Sequence, residues 1–163
     1  MKPIENIPVH DKRRIGYVLT DIDDTLTIKG RLPAVVFAAM EDLRRAGIRV
    51  VPITGRPAGW CDHIARMWPV DGLVGENGAF YFRYDDRRRK MTRRYWKSME
   101  ARQRDRERLD AICTQVLAQV PGCAVAADQA YREADLAIDF CEDVPALPLS
   151  AATTIKAIFE AAG

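Results

Sequence analysis

The sequence predicts an α/β protein in two parts: an open parallel-sheet core over residues 1–78 and an α+β unit over residues 79–163. Three observations carry this expectation. In the first half, short apolar runs of strand length alternate with amphipathic helical stretches, the pattern of βαβ units and a parallel sheet. After Gly78 two strand-like runs follow one another directly, as in a hairpin. The chain has 163 residues, 48% hydrophobic and 29% charged, the balance of an ordinary globular domain. These figures exclude a collagen-like fibre, a coiled coil and a disordered tail. No apolar run approaches the ~18 residues that cross a bilayer.

Residues 1–14 mix charges with Pro3 and Pro8 and lack the apolar segment of a secretory leader. Residues 16–20 (GYVLT) are apolar on both faces and predict a parallel strand buried between helices. Pro33 fits a helix start; Val36, Ala39, Met40 and Leu43 follow at helical spacing, and Gly47 suits the stop. Residues 48–53 (IRVVPI) read as a second strand, 54–57 as a turn, and 58–67 as a helix halted by Pro69. Residues 71–74 make a short third strand. Residues 79–84 and 90–96 form the hairpin. Leu109, Ile112, Cys113, Val116, Leu117 and Val120 lie on one helical stripe that Pro121-Gly122 ends. Residues 123–127 and 136–141 read as two more strands. Ser150 is the expected N-cap of a last helix carrying Ile155, Ile158 and Phe159.

Charge is unevenly spread. The net charge is +2, but residues 83–108 hold 12 Lys and Arg against 5 Asp and Glu, a local +7. Such a segment can attract phosphates or nucleic acid, or be a solvated hairpin and helix face. Cys61, Cys113, Cys123 and Cys141 have no C-x-x-C spacing and read as buried free thiols, as in a reducing compartment. A soluble, cytoplasmic protein is expected.

The chemistry concentrates at Asp21-Ile22-Asp23-Asp24-Thr25, at the carboxyl end of the first strand, the edge where open α/β sheets bind ligands. Aspartates packed this closely repel one another unless a divalent cation offsets them. Asp21 and Asp23 project to one side of an extended segment, so one carboxylate could attack phosphorus while the other handles a proton.

Asp21-x-Asp23-x-Thr25 after an apolar strand resembles the first motif of the haloacid dehalogenase (HAD) superfamily of phosphohydrolases. Thr54 in Ile53-Thr54-Gly55-Arg56-Pro57 resembles the second motif, one βα unit later. Glu76-Asn77-Gly78-Ala79 is similar to a stretch of the Cof-like and sucrose-phosphatase-like branch, in which a large α+β cap follows. The resemblance implies a partial Rossmann-like core, residues 1–78, and an α+β cap domain, residues 79–163. It implies Asp21 as the nucleophile that becomes an aspartyl-phosphate and Asp23 as the acid and base. Mg²⁺ would sit on the Asp21 carboxylate and the Asp23 main-chain carbonyl. Ile22, through its amide, and Thr54 would hold the phosphoryl oxygens, with Gly55, Arg56 and Asn77 lining the cleft, or with Arg56 serving the entry of the following helix instead. The implied substrate is a sugar phosphate or similar small phosphomonoester.

The family's third-motif Lys and fourth-motif acidic pair have no counterparts here. Lys156 sits mid-helix and reads as a solvated residue, and Asp135, Asp139, Glu142 and Asp143 fall on cap strands and turns. The resemblance therefore implies about half the core sheet, weak activity of these 163 residues, and an exposed sheet edge open to self-association. The alternative is a non-catalytic module whose basic segment, 83–108, engages nucleic acid or an acidic partner. The active-site motifs favour the small phosphorylated substrate over nucleic acid.

Overall fold

A computed structural model of the chain describes residues 3–163. They fall into two compact units, one running up to Arg56 and including Cys61–Arg94, the other comprising Pro57–Trp60 and Tyr95–Gly163.

The first unit opens with a short helix, α1 (Val9–Lys12), and strand β1 (Tyr17–Thr20). Helix α2 (Ala34–Arg45) follows, its first residue set by Pro33 as N-cap with an extended ψ of 145°. It ends before Gly47, whose φ of 78° is the left-handed geometry that stops a helix. Strand β2 (Arg49–Pro52) pairs parallel with β1, Val18 opposite Val50. Helix α3 (Ala58–Met67) leads to β3 (Leu73–Gly75), which joins β2 through a parallel bridge between Ile53 and Val74. Two parallel crossovers therefore bring the carboxyl ends of β1, β2 and β3 to one edge.

Strands β4 (Phe80–Asp85) and β5 (Lys90–Tyr95) continue this sheet rather than opening the second unit, in the order β3-β4-β5. The boundary expected at residue 78 thus falls within one sheet. The cause is local: Asn77 takes φ 56° and Gly78 φ 103°, reversing the chain so tightly that β4 lies antiparallel on β3, Leu73 opposite Phe82. Met40, Val50, Cys61, Ile64, Leu73, Phe80 and Phe82 are buried, and the two phenylalanine rings stack at 4.3 Å.

β1 departs from expectation. Tyr17 is 55% and Leu19 64% exposed, because among the described residues the strand has one neighbour, β2, and no layer covers alternate residues.

In the second unit, helix α4 (Met99–Gln119) is a full ten residues longer than its apolar stripe. Ser98 caps it, its side chain accepting from the Ala101 N–H at 3.2 Å, and the polar first half needs no buried face. Strands β6 (Ala124–Val125) and β7 (Ile138–Asp139) pair antiparallel but have two residues each, shorter than the runs expected. Helix α5 (Leu149–Ala162) is capped by Pro148, not Ser150. Proline at φ −64° and ψ 155° starts the helix before Ser150, whose carbonyl accepts the Thr154 hydroxyl. The core of this unit is Ile112, Val116, Val120, Ile155 and Ile158. The four cysteines are free, but only Cys61 is buried, and Cys141 is exposed. Among the described residues no helix is long and apolar enough to cross a membrane.

Candidate active site

The first-motif loop is built on one carbonyl. Ile22, 4% exposed, buries its side chain as an anchor. Its C=O accepts the N–H groups of Leu26 at 2.9 Å and Thr27 at 3.0 Å, and the Thr27 hydroxyl at 3.2 Å. Thr27 in turn accepts the Asp24 N–H at 3.1 Å, which holds Asp24 at φ 54°. This tight turn displays Asp21 and Asp23 at the carboxyl end of β1. The Asp21 carboxylate is exposed and makes no hydrogen bond or ion pair among the described residues, and the Ile22 N–H donates to none.

The second motif follows β2. Thr54 is 3% exposed; its N–H donates to the Val74 carbonyl at 2.9 Å, and its hydroxyl oxygen accepts the Arg56 N–H at 3.1 Å. The third stretch closes on the second, as the Asn77 N–H donates to the Thr54 carbonyl at 3.1 Å. The Asn77 side chain lies over Gly55, where a Cβ would come within 3.1 Å of Oδ1, so a larger residue at 55 would push it away.

Asp23 has a partner that the sequence reading did not assign. Arg56 grips its carboxylate with two bonds, Nε to Oδ2 at 3.0 Å and a terminal nitrogen to Oδ1 at 2.7 Å, a planar fork on a planar acceptor. The only signal for it was an arginine two residues after the motif threonine. Gly55 and Pro57 fix the turn that aims it.

The structure thus brings Asp23, Thr54, Gly55, Arg56 and Asn77 into one bonded cluster, and leaves Asp21 open beside it. One exposed carboxylate and one main-chain carbonyl, that of Asp23, are hard oxygen donors of the kind magnesium takes, with water in the other positions. Among the described residues no three His, Cys, Asp or Glu side chains converge. Lys156 is 75% exposed and paired with Glu160 along α5, the solvated position expected.

No family model and no curated protein matches the chain. Solved structures do. A protein of Thermoplasma acidophilum is 18% identical over 91% of this chain and 58% of its own, with a TM-score of 0.66. The IMP-nucleotidase of Plasmodium falciparum is 8% identical over 91% of this chain and 41% of its own, TM-score 0.59. A phosphatase of the haloalkanoate (HAD) enzyme superfamily from Bacteroides thetaiotaomicron is 20% identical over 74% and 41%, TM-score 0.46. The chain spans about half the length of the solved structures it matches. At these identities the likeness concerns the fold alone, which the chain shares over most of its length with the Thermoplasma acidophilum protein and the Plasmodium falciparum IMP-nucleotidase.

Proposed function

We propose that this chain carries the phosphoryl-accepting site of a phosphomonoester hydrolase. The observation that carries the reading is the contrast between its two first-motif carboxylates: Asp21 is exposed and unbonded among the described residues, and Asp23 is held in a fork by Arg56. An Asp21 oxygen attacks phosphorus, the bond from phosphorus to the leaving alkoxide breaks, and the alkoxide takes a proton from Asp23. Asp23 then takes a proton from water, whose oxygen attacks phosphorus and releases Asp21 and inorganic phosphate. Arg56 orients the Asp23 carboxylate, and one bond of the fork opens when Asp23 carries the proton. The Ile22 N–H and the Thr54 hydroxyl would hold the phosphoryl oxygens. When bound at Asp21 and the Asp23 carbonyl, Mg²⁺ supplies charge neutralisation on the phosphoryl group.

A small phosphomonoester such as a sugar phosphate is the proposed substrate, on the strength of the motif resemblance. Turnover should be slow. Each missing preorganised electrostatic contact lowers a rate by ~10²–10³, and two donors leave most of the magnesium shell to water. The test is hydrolysis of p-nitrophenyl phosphate with and without magnesium. The expected result is slow, magnesium-dependent release that Asp21→Asn reduces to background, while Thr54→Ala costs about 1–3 kcal/mol, one hydrogen bond to a charged group. Release by Asp21→Asn at the parent rate would overturn the assignment.

A further inference from the structure

The two functional readings of the sequence compete only if they share a surface, and the fold separates them. The motif residues stand at the carboxyl edge of β1, β2 and β3. β4 leaves that edge at Phe80, opposite Gly75, and runs antiparallel away from it for six residues. At ~3.4 Å per residue, the turn over 86–89 therefore lies ~20 Å away, at the opposite edge of the sheet. A basic cluster there cannot line the catalytic cleft.

The hairpin's two faces also differ. Arg93 lies over the Phe82 ring at 5.0 Å and bonds Asp62 of α3 at 2.9 Å, and Arg66 of α3 lies over the Tyr84 ring at 4.6 Å. The Arg66 guanidinium, with Arg93, holds the Asp62 carboxyl below its ordinary value. α3 thus covers the face of Phe80, Phe82 and Tyr84. By strand alternation the other face presents Tyr81, Arg83 and Asp85 from β4 and Lys90, Thr92 and Arg94 from β5. All but the half-buried Asp85 are exposed, as are Arg87, Arg88 and Arg89 in the turn. Arg88 reaches Asp85 only at 4.0 Å, and among the described residues no carboxylate pairs with Arg87, Arg89, Lys90 or Arg94. Six of the eight residues 87–94 are basic and none is acidic.

A sheet face with an excess of cations and an aromatic ring among them, Tyr81 at 45% exposure, matches a strand of phosphates whose bases can stack. We propose that the outward face of the β4–β5 hairpin binds single-stranded nucleic acid, with Arg87, Arg89, Lys90 and Arg94 on phosphates and Tyr81 stacking on a base. Asp85 and Asp86 offset part of the charge, but residues 81–94 hold seven basic residues against these two.

The experiment is fluorescence anisotropy of a labelled oligo-uridylate, on the order of 16 nucleotides, with the full chain. Four phosphate contacts predict a log–log salt slope of about −3, so affinity should fall roughly 50-fold between ~50 and ~200 mM salt. The fourfold variant R87Q/R89Q/K90Q/R94Q should lose nearly all binding and most of the slope. Tyr81→Ala should weaken binding about tenfold, and Tyr81→Phe should restore it. Circular dichroism checks that each variant is folded. Unchanged binding by the fourfold variant, or no salt-dependent binding by the parent chain, overturns the proposal. So does a Tyr81→Ala protein that binds as the parent does, which would make the face a general polyanion or duplex surface. Preferential binding to phosphatidylserine vesicles would assign it to a membrane instead.

Discussion

Replacing Gly75 by Ala isolates the packing that holds the candidate site in place. Gly75 has φ −116° and ψ 168°, extended geometry that any residue adopts, so the substitution carries no backbone penalty. The penalty is steric. A Cβ at this position would stand 2.4 and 2.5 Å from two ring carbons of Phe80 and 2.6 Å from the Cys61 sulfur. None of these atoms can withdraw freely, because Phe80 is 2% exposed and stacked on Phe82, and Cys61, on α3, is fully buried. Overpacking of this kind costs about 1–3 kcal/mol. The reduced freedom of the unfolded chain returns about 0.4–1 kcal/mol. The net loss is about 1–2 kcal/mol, or roughly 5 °C in Tm for a chain of this length. Thermal unfolding followed by circular dichroism reads it. Combining Gly75→Ala with Phe80→Leu, which removes the two clashing ring carbons but not the contact with the Cys61 sulfur, should make the loss from Gly75→Ala smaller than it is beside Phe80. An unchanged or raised Tm in Gly75→Ala would refute the packing described here.

Further expectations concern ion pairs. The Arg56–Asp23 fork is partly wet, with side chains 31% and 41% exposed, so a double-mutant cycle with Arg56→Gln and Asp23→Asn should give a coupling of only about 0.5–1 kcal/mol. In turnover, Arg56→Gln should add nothing to the loss caused by Asp23→Asn; additive losses would separate the two residues. Asp139 accepts the N–H groups of Cys141, Glu142 and Asp143 at 2.9, 2.8 and 2.7 Å. These bonds, that of Glu142 foremost, hold its carboxyl below the ordinary value. With the folded value below the unfolded one, the stabilisation is complete above about pH 4 and is lost as pH falls through the folded value. Asp139→Asn should therefore flatten the acid limb of a Tm–pH curve, and an acid limb identical to the parent's would contradict this origin.

The parallel half of the sheet was legible because each strand's apolar run ends in a polar turn at the same edge, and that punctuation also marks Asp21, Thr54 and Asn77. The sheet's continuation through β4 and β5 was not legible. It depends on the left-handed Asn77 and Gly78, which reverse the chain onto β3 and commit the hairpin to the first unit. The exposure of Tyr17 and Leu19 was equally hidden, since an apolar run records what a strand can bury and not what covers it. α4 was read only over its stripe, because its first ten residues take their helicity from a cap and from propensity rather than from a buried face. The grip of Arg56 on Asp23 joins residues 33 positions apart, and no local pattern encodes such a pair.

The central claim, that Asp21 accepts a phosphoryl group, can be tested without full turnover. The chain is incubated with magnesium and fluoroberyllate, a mimic of a phosphoryl group on a carboxylate, and bound fluoride is followed by ¹⁹F resonance. The account predicts a magnesium-dependent bound signal that Asp21→Asn abolishes and that Asp24→Asn, on the same turn, leaves in place. A bound signal that survives Asp21→Asn, or its absence from the folded parent chain, would contradict it.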